Sequence, residues 1–231
     1  INNIDSLNLS ENEFDDDSIV LLANAFSNVE CLKSMDISRN LKKGGNAKAR
    51  SESFDALINL VNSPTCKLEA LMLAGGKGAF QLGTDIIPLF DGLSESFIKY
   101  LDVSNQALSN KGVAALGKAI QSNKTLATLL WDENGTTIAG FKAFRQGLKR
   151  NSSIKNLHLP ILDIELALNK ESDKQTFLKV VHDIEQYAIA NNQPKTKFKA
   201  KSNEQSSAFM LYVSFIHHPS THLRLRHNVK N

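Results

Sequence analysis

One short phrase of apolar residues recurs along the chain: an apolar position, two free positions, a second apolar position, one free position, and a third. It reads Ile4-x-x-Leu7-x-Leu9, Leu32-x-x-Met35-x-Ile37, Leu68-x-x-Leu71-x-Leu73, Ile98-x-x-Leu101-x-Val103, Leu126-x-x-Leu129-x-Trp131 and Ile154-x-x-Leu157-x-Leu159. The alternation at the end of each phrase predicts a short strand with one buried face. The first two phrases start 28 residues apart, as do the last three, and the third follows the second by 36. A recurring period of this size marks a stacked array. Between phrases the spacing becomes helical. Ser18–Phe26 carries Ile19, Leu22, Ala23 and Phe26; Lys111–Gln121 carries Val113, Leu116 and Ile120; Thr137–Lys149 carries Phe141, Phe144 and Leu148. Each set forms one buried stripe. Asp15–Ser18 supply the acidic and hydroxyl residues that suit a helix start.

This is the long, helix-containing form of the leucine-rich repeat pattern. It predicts an α/β fold: a leucine-rich repeat solenoid, a ribonuclease-inhibitor-like horseshoe with repeats of about 28 residues, closed by a C-terminal capping helix. Three parts are expected. Residues 1–163 hold about six repeats and start inside the array, so the chain reads as part of a longer protein; 164–191 form the cap; 192–231 form a basic, disordered tail. The cap's amphipathic stretch, about Ser172–Asn191, sets Phe177, Val180, Val181, Ile184, Tyr187 and Ala188 on one face. A loop enlarged by Lys42-Lys43-Gly44-Gly45-Asn46-Ala47-Lys48 accounts for the late third strand. Asn12, Asn40 and Asn134 take the ninth position of their repeats. An amide side chain there bonds the turning backbone as it leaves the ladder. Gly76 and Gln106 at that position are expected to weaken the asparagine ladder. In the sixth unit Pro160 follows the strand and Leu162 stands where asparagine should, which suits a terminal repeat.

Composition narrows the chemistry. Lys and Arg exceed Asp and Glu by 27 to 24. Residues 192–231 hold seven of the basic residues against Glu204 alone, so the rest is mildly acidic and no nucleic-acid partner is expected. Cys31 and Cys66 do not make a disulfide framework and fit a reducing, cytoplasmic location. No apolar run is long enough for a transmembrane segment. Gly75-Gly76-Lys77-Gly78 lacks the P-loop spacing. His217, His218, His222 and His227 lack a regular ligand spacing, so neither a metal nor a cofactor is expected. Asp132 and Glu133 are sequence neighbours and cannot act as a pair from a strand. No nucleophile with its own oxyanion donors accompanies His158, so the chain is read as non-enzymatic.

The residues between the leucines face outward from the sheet. The first two rows are polar. From Met72 onward the face gains larger side chains, and Met72, Tyr100, Asp102, Leu130, Asp132 and His158 form the candidate protein-binding site. Large side chains with polar handles on a concave face suit a protein partner.

Residues 123–163 are more particular than a generic repeat. They read Asn123-Lys124-Thr125-Leu126, then Leu129-Leu130-Trp131-Asp132-Glu133-Asn134-Gly135-Thr136-Thr137, Gly140-Phe141, Gly147-Leu148-Lys149-Arg150-Asn151 and Leu159-Pro160-Ile161-Leu162-Asp163. This resembles the end of the repeat domain of the capping-protein, Arp and myosin-I linkers, the CARMIL proteins, and the resemblance covers about residues 4–191. It implies a scaffold within a regulator of actin filament capping and assembly, located at the actin cytoskeleton or cell cortex, with protein partners of the actin cortex. It further implies that dimerisation and membrane binding belong to regions absent from this sequence. The family's capping-protein-binding run is met only loosely by His218–Arg224, and that activity is not carried over. The alternatives are a binder like the Ran GTPase activator, which tends to end in an acidic tail, and one like the ribonuclease inhibitor or innate sensors, usually richer in cysteine.

Overall fold

The computed structural model describes residues 4–193; the expected tail from 194 onward, with its four histidines, lies outside them. Six strands occupy the repeating phrases: β1 (Ser6–Asn8), β2 (Ser34–Asp36), β3 (Ala70–Met72), β4 (Tyr100–Asp102), β5 (Thr128–Leu130) and β6 (Asn156–Leu157). They make one parallel sheet in sequence order. The central apolar residues lie in register, Leu7 on Met35, Met35 on Leu71, Leu71 on Leu101, Leu101 on Leu129, and Leu129 on Leu157. Parallel neighbours require crossovers, and helices supply them. These are α1 (Asp16–Phe26), α2 (Ala47–Val61), α3 (Ile87–Gly92), α4 (Ser109–Ser122) and α5 (Ile138–Leu148), followed after β6 by α6 (Ile161–Lys170) and α7 (Lys174–Asn191). The core lies between the sheet and this helical layer. Met35, Leu71, Leu101 and Leu129 are fully buried, as are Phe54, Phe90, Val113, Leu116, Phe141 and Phe144 from the helices.

The asparagines behave as the sequence predicts. Asn40 donates through Nδ2 to the Leu9 and Ile37 carbonyls, while its Oδ1 accepts the Asn12 amide at 2.8 Å. Asn134 repeats the arrangement with Val103, Trp131 and the Gln106 amide. Gln106 corrects the expectation of a weakened ladder. Its longer side chain donates to the Leu73 carbonyl and accepts the Leu82 amide at 2.8 Å, so the rung is bridged. A second pair, Asn123 and Asn151, stands where α4 and α5 end. Each accepts the amides two and three residues on and donates back to the preceding repeat.

Two glycines mark close approach of backbones. A Cβ on Gly75 would lie 1.9 Å from the Asn105 carbonyl oxygen, which accounts for glycine at that position. A Cβ on Gly147 would lie 1.8 Å from the Gly117 carbonyl oxygen, so α4 and α5 touch backbone to backbone there. The enlarged loop is shorter than expected: Asn46 caps α2 by accepting the Lys48 and Ala49 amides, and Ala47 and Lys48 belong to the helix. Arg50 of α2 forms a buried ion pair with Asp16, Nε to Oδ1 at 2.6 Å. The Ser53 hydroxyl donates to the same carboxylate, and Arg50 Nη2 donates to the Lys42 carbonyl.

The chain's end departs most from expectation. One helix was expected over 164–191, and there are two, the first beginning at Ile161. Pro160 precedes α6, where its missing N–H costs no helical bond. The Asp132 carboxylate accepts the Leu162 and Asp163 amides at 3.1 Å each, which satisfies the start of α6. Helix α7 starts at Lys174 with Asp173 accepting the Thr176 amide, and it buries Phe177, Val180, Val181, Ile184 and Ala188. Tyr187, expected among them, is half-buried.

Candidate protein-binding face

Strand alternation decides what this face can present. In β2 to β5 the middle residue is buried and both flanking residues are half-buried. Two rows of side chains therefore run across the sheet. One is Ser34, Ala70, Tyr100, Thr128 and Asn156; the other is Asp36, Met72, Asp102 and Leu130. Met72, Asp102 and Leu130 are thus direct neighbours, and Tyr100 stands two residues back on the strand of Asp102, between Ala70 and Thr128. Tyr100 is half-buried between these small neighbours. Burial pushes the Tyr100 hydroxyl above its ordinary pKa, with the Asp102 and Asp36 charges adding to the shift. The phenol therefore remains a neutral hydrogen-bond donor over an acidic, partly apolar strip.

The acidic residues of this strip also serve the turn. Asp36 accepts the Ser38 amide and Asp102 the Ser104 amide, both at 2.9 Å, while Asn8 accepts the Ser10 amide at 3.0 Å. Each side chain closes the turn as its strand ends, and one oxygen of each carboxylate accepts that amide. Asp132 is committed further: it accepts the Glu133 amide as well as the two amides of α6. Its oxygens are turned to the start of α6 rather than to the row of Asp102. Glu133 is exposed, with its backbone in the left-handed region at φ 59°, and both acids lie beyond the end of β5 rather than on the strand as expected. His158 is exposed one residue past the last paired residue of β6, and its amide donates to the Leu129 carbonyl at 3.2 Å. Of the six candidate residues, the fold groups Met72, Tyr100, Asp102 and Leu130, sets His158 at the edge, and gives Asp132 a capping role.

Asp163 was missed. It is 1% exposed and accepts the Asn134 amide at 3.0 Å and the Gly135 amide at 2.9 Å, the place the next asparagine would fill. Burial raises its carboxyl pKa, against the lowering effect of those amides. The available signal was an acid one position beyond Leu162, in the first turn of a helix after proline. Burial likewise pushes the Cys66 thiol up.

A parallel sheet paired in sequence order, with helical crossovers and an asparagine ladder, defines a leucine-rich repeat protein. No protein-family model matches the sequence. The chain resembles the CARMIL proteins: it is 32% identical over 209 residues to Protein CARMIL of Dictyostelium discoideum, covering 90% of this chain and 19% of that protein. It is 29% identical over 193 residues to capping protein, Arp2/3 and myosin-I linker protein 3 of Rattus norvegicus, covering 84% of this chain and 14% of that protein. A third relative, Rho GTPase-activating protein gacW of Dictyostelium discoideum, is 32% identical over 192 residues, 80% of this chain and 17% of its own length. The chain thus spans under a fifth of the length of these relatives. Among solved structures, the tropomodulin C-terminal domain of Caenorhabditis elegans superposes with a TM-score of 0.54 at 13% identity, over 76% of this chain and 92% of that one. Among the described residues, no helix is long and apolar enough to cross a membrane.

Proposed function

We propose that the chain is the protein-docking scaffold of a CARMIL-like regulator of actin filament capping and assembly. In this reading it is a horseshoe solenoid with repeats of about 28 residues, capped by α6 and α7, and it acts in the cytoplasm at the actin cortex. Its partner is a protein of that cortex, gripped by the Met72, Tyr100, Asp102 and Leu130 row, with His158 at the rim. The observation that carries the reading is the 32% identity to Protein CARMIL over 90% of the chain. A segment of a protein named as a Rho GTPase activator is as identical, over 80% of this chain. That fits a docking module joined to different activities, because a fold of this kind is a surface rather than a reaction.

The reading separates docking from action on capping protein. The family's acting segment is an extended run with a fixed residue order, and His218–Arg224 does not reproduce it. The test is filament elongation from barbed ends blocked by capping protein, followed as actin fluorescence with the chain at micromolar concentration. The expected result is no uncapping. Rapid resumption of elongation would place the activity in this chain and overturn the division.

A further inference from the structure

The last strand among the described residues, β6, carries an incomplete copy of an interface made five times elsewhere in the sheet. At each step, a carbonyl before the strand accepts two amides from the next repeat; Ala127 takes those of Lys155 and Asn156, both at 2.9 Å. The Leu129 carbonyl accepts the His158 amide, and the amide two residues on from the strand centre donates forward, as from Val103 to the Leu130 carbonyl at 3.0 Å. Carried onto β6, the first of these groups is met within the fold. The Lys155 carbonyl accepts Asn192 Nδ2 at 2.7 Å, just past the end of α7. The others have no following strand among the described residues. Because the amides of Asn156 and His158 point to β5, alternation turns the Leu157 amide and carbonyl and the Leu159 amide to the outer edge.

This edge borders a groove of about 320 Å³ against α7, with Leu157, Leu159, Ala188 and Ile189 among its apolar lining and Glu185 at its side. Ile189 is 42% exposed. Glu185 Oε2 is buried with no hydrogen-bond partner among the described residues. A carboxylate oxygen withdrawn from water without a donor calls for a cation. We propose that the β6–α7 groove binds an extended peptide segment of a partner protein, which adds as a further strand on β6 and carries a Lys or Arg opposite Glu185. The open ladder groups specify an extended backbone, the apolar floor specifies alternate apolar side chains, and the carboxylate specifies the basic one.

The test is selection of a random peptide library on the full chain, followed by binding of the enriched peptides to variants. The expected peptides alternate apolar residues around one Lys or Arg, and they weaken by about tenfold on Ile189→Asp and on Glu185→Gln. N-methylation of a peptide amide facing β6 weakens binding by about fivefold. Ile189 is exposed and glutamine keeps the shape of glutamate, so far-ultraviolet circular dichroism of both variants matches the parent. Three results would overturn the proposal: no enriched peptide, peptides indifferent to both variants, or a concentration-dependent dimer abolished by Ile189→Asp, which would assign the groove to a second copy.

Discussion

Leu129 and Leu130 stand side by side with opposite fates. Leu129 is fully buried between Leu101 and Leu157, while Leu130 is half-buried on the open row beside Asp102. An aspartate at 129 must enter the core without a partner, and an unpaired buried charge costs several kcal/mol. Leu129→Asp should therefore abolish cooperative unfolding of the late repeats, whereas Leu130→Asp should shift Tm by only a few degrees; equal damage in thermal melts would refute the register. Asp163 offers a second test at this scale. Its folded pKa lies above the ordinary 3.8, so the folded state holds the proton more tightly than the unfolded state. Its contribution to stability is then fully present below the ordinary carboxylate range and declines as pH rises through the folded pKa. Asp163→Asn should remove that decline, so the variant gains on the parent as pH rises; denaturant melts across pH read the difference. Asp163→Ala leaves the Asn134 and Gly135 amides unmet and should cost about 1–3 kcal/mol.

Between elements, contacts join one repeat to the next. Trp131 stacks on Phe144 with centroids 4.1 Å apart, and Phe141 meets Phe177 of α7 edge-on at 5.1 Å. This aromatic chain joins the fifth strand to the terminal helix, so Phe177→Ala should cost about 3–5 kcal/mol in chemical denaturation. Gly147→Ala should cost about 1–3 kcal/mol, because a methyl group there meets the Gly117 backbone rather than a side chain that can turn aside. The strands, the burial of the central ones and helices α1, α4 and α5 were legible because each depends on spacing within one short stretch; at the ends of the stack Leu7, Leu9, Leu157 and Leu159 are only half-buried, as are Leu22 and Phe26 of α1. The Gly117–Gly147 approach, the Asp16–Arg50 pair and the bridging by Gln106 were not legible. Each joins residues some 24 to 34 apart, and side-chain length decides the outcome. Helix α6 was hidden for the same reason, since its start is satisfied by Asp132 from another repeat. The candidate face was legible as a set of outward positions, but not in Asp132, whose capping role appears only when α6 is in place.

For the whole molecule, the sheet's open face sets a polar end against a mixed one: Ser34 and Asp36 near the start, then Met72, Tyr100, Asp102 and Leu130. A docking role requires that this mixed end be where partners bind. Leu130→Asp tests it cleanly because the substitution changes the face while sparing the core, and Leu21→Asp on α1 is the matched control at a residue 72% exposed. The measurement is quantitative affinity capture from an actin-rich cortical extract, with proteins retained by each immobilised variant identified and weighed against the parent. The docking account predicts that parent and Leu21→Asp retain the same cortical proteins, and that Leu130→Asp loses them by about tenfold or more. Equal retention by all three, or retention of no actin-cortex protein by the parent, would contradict it.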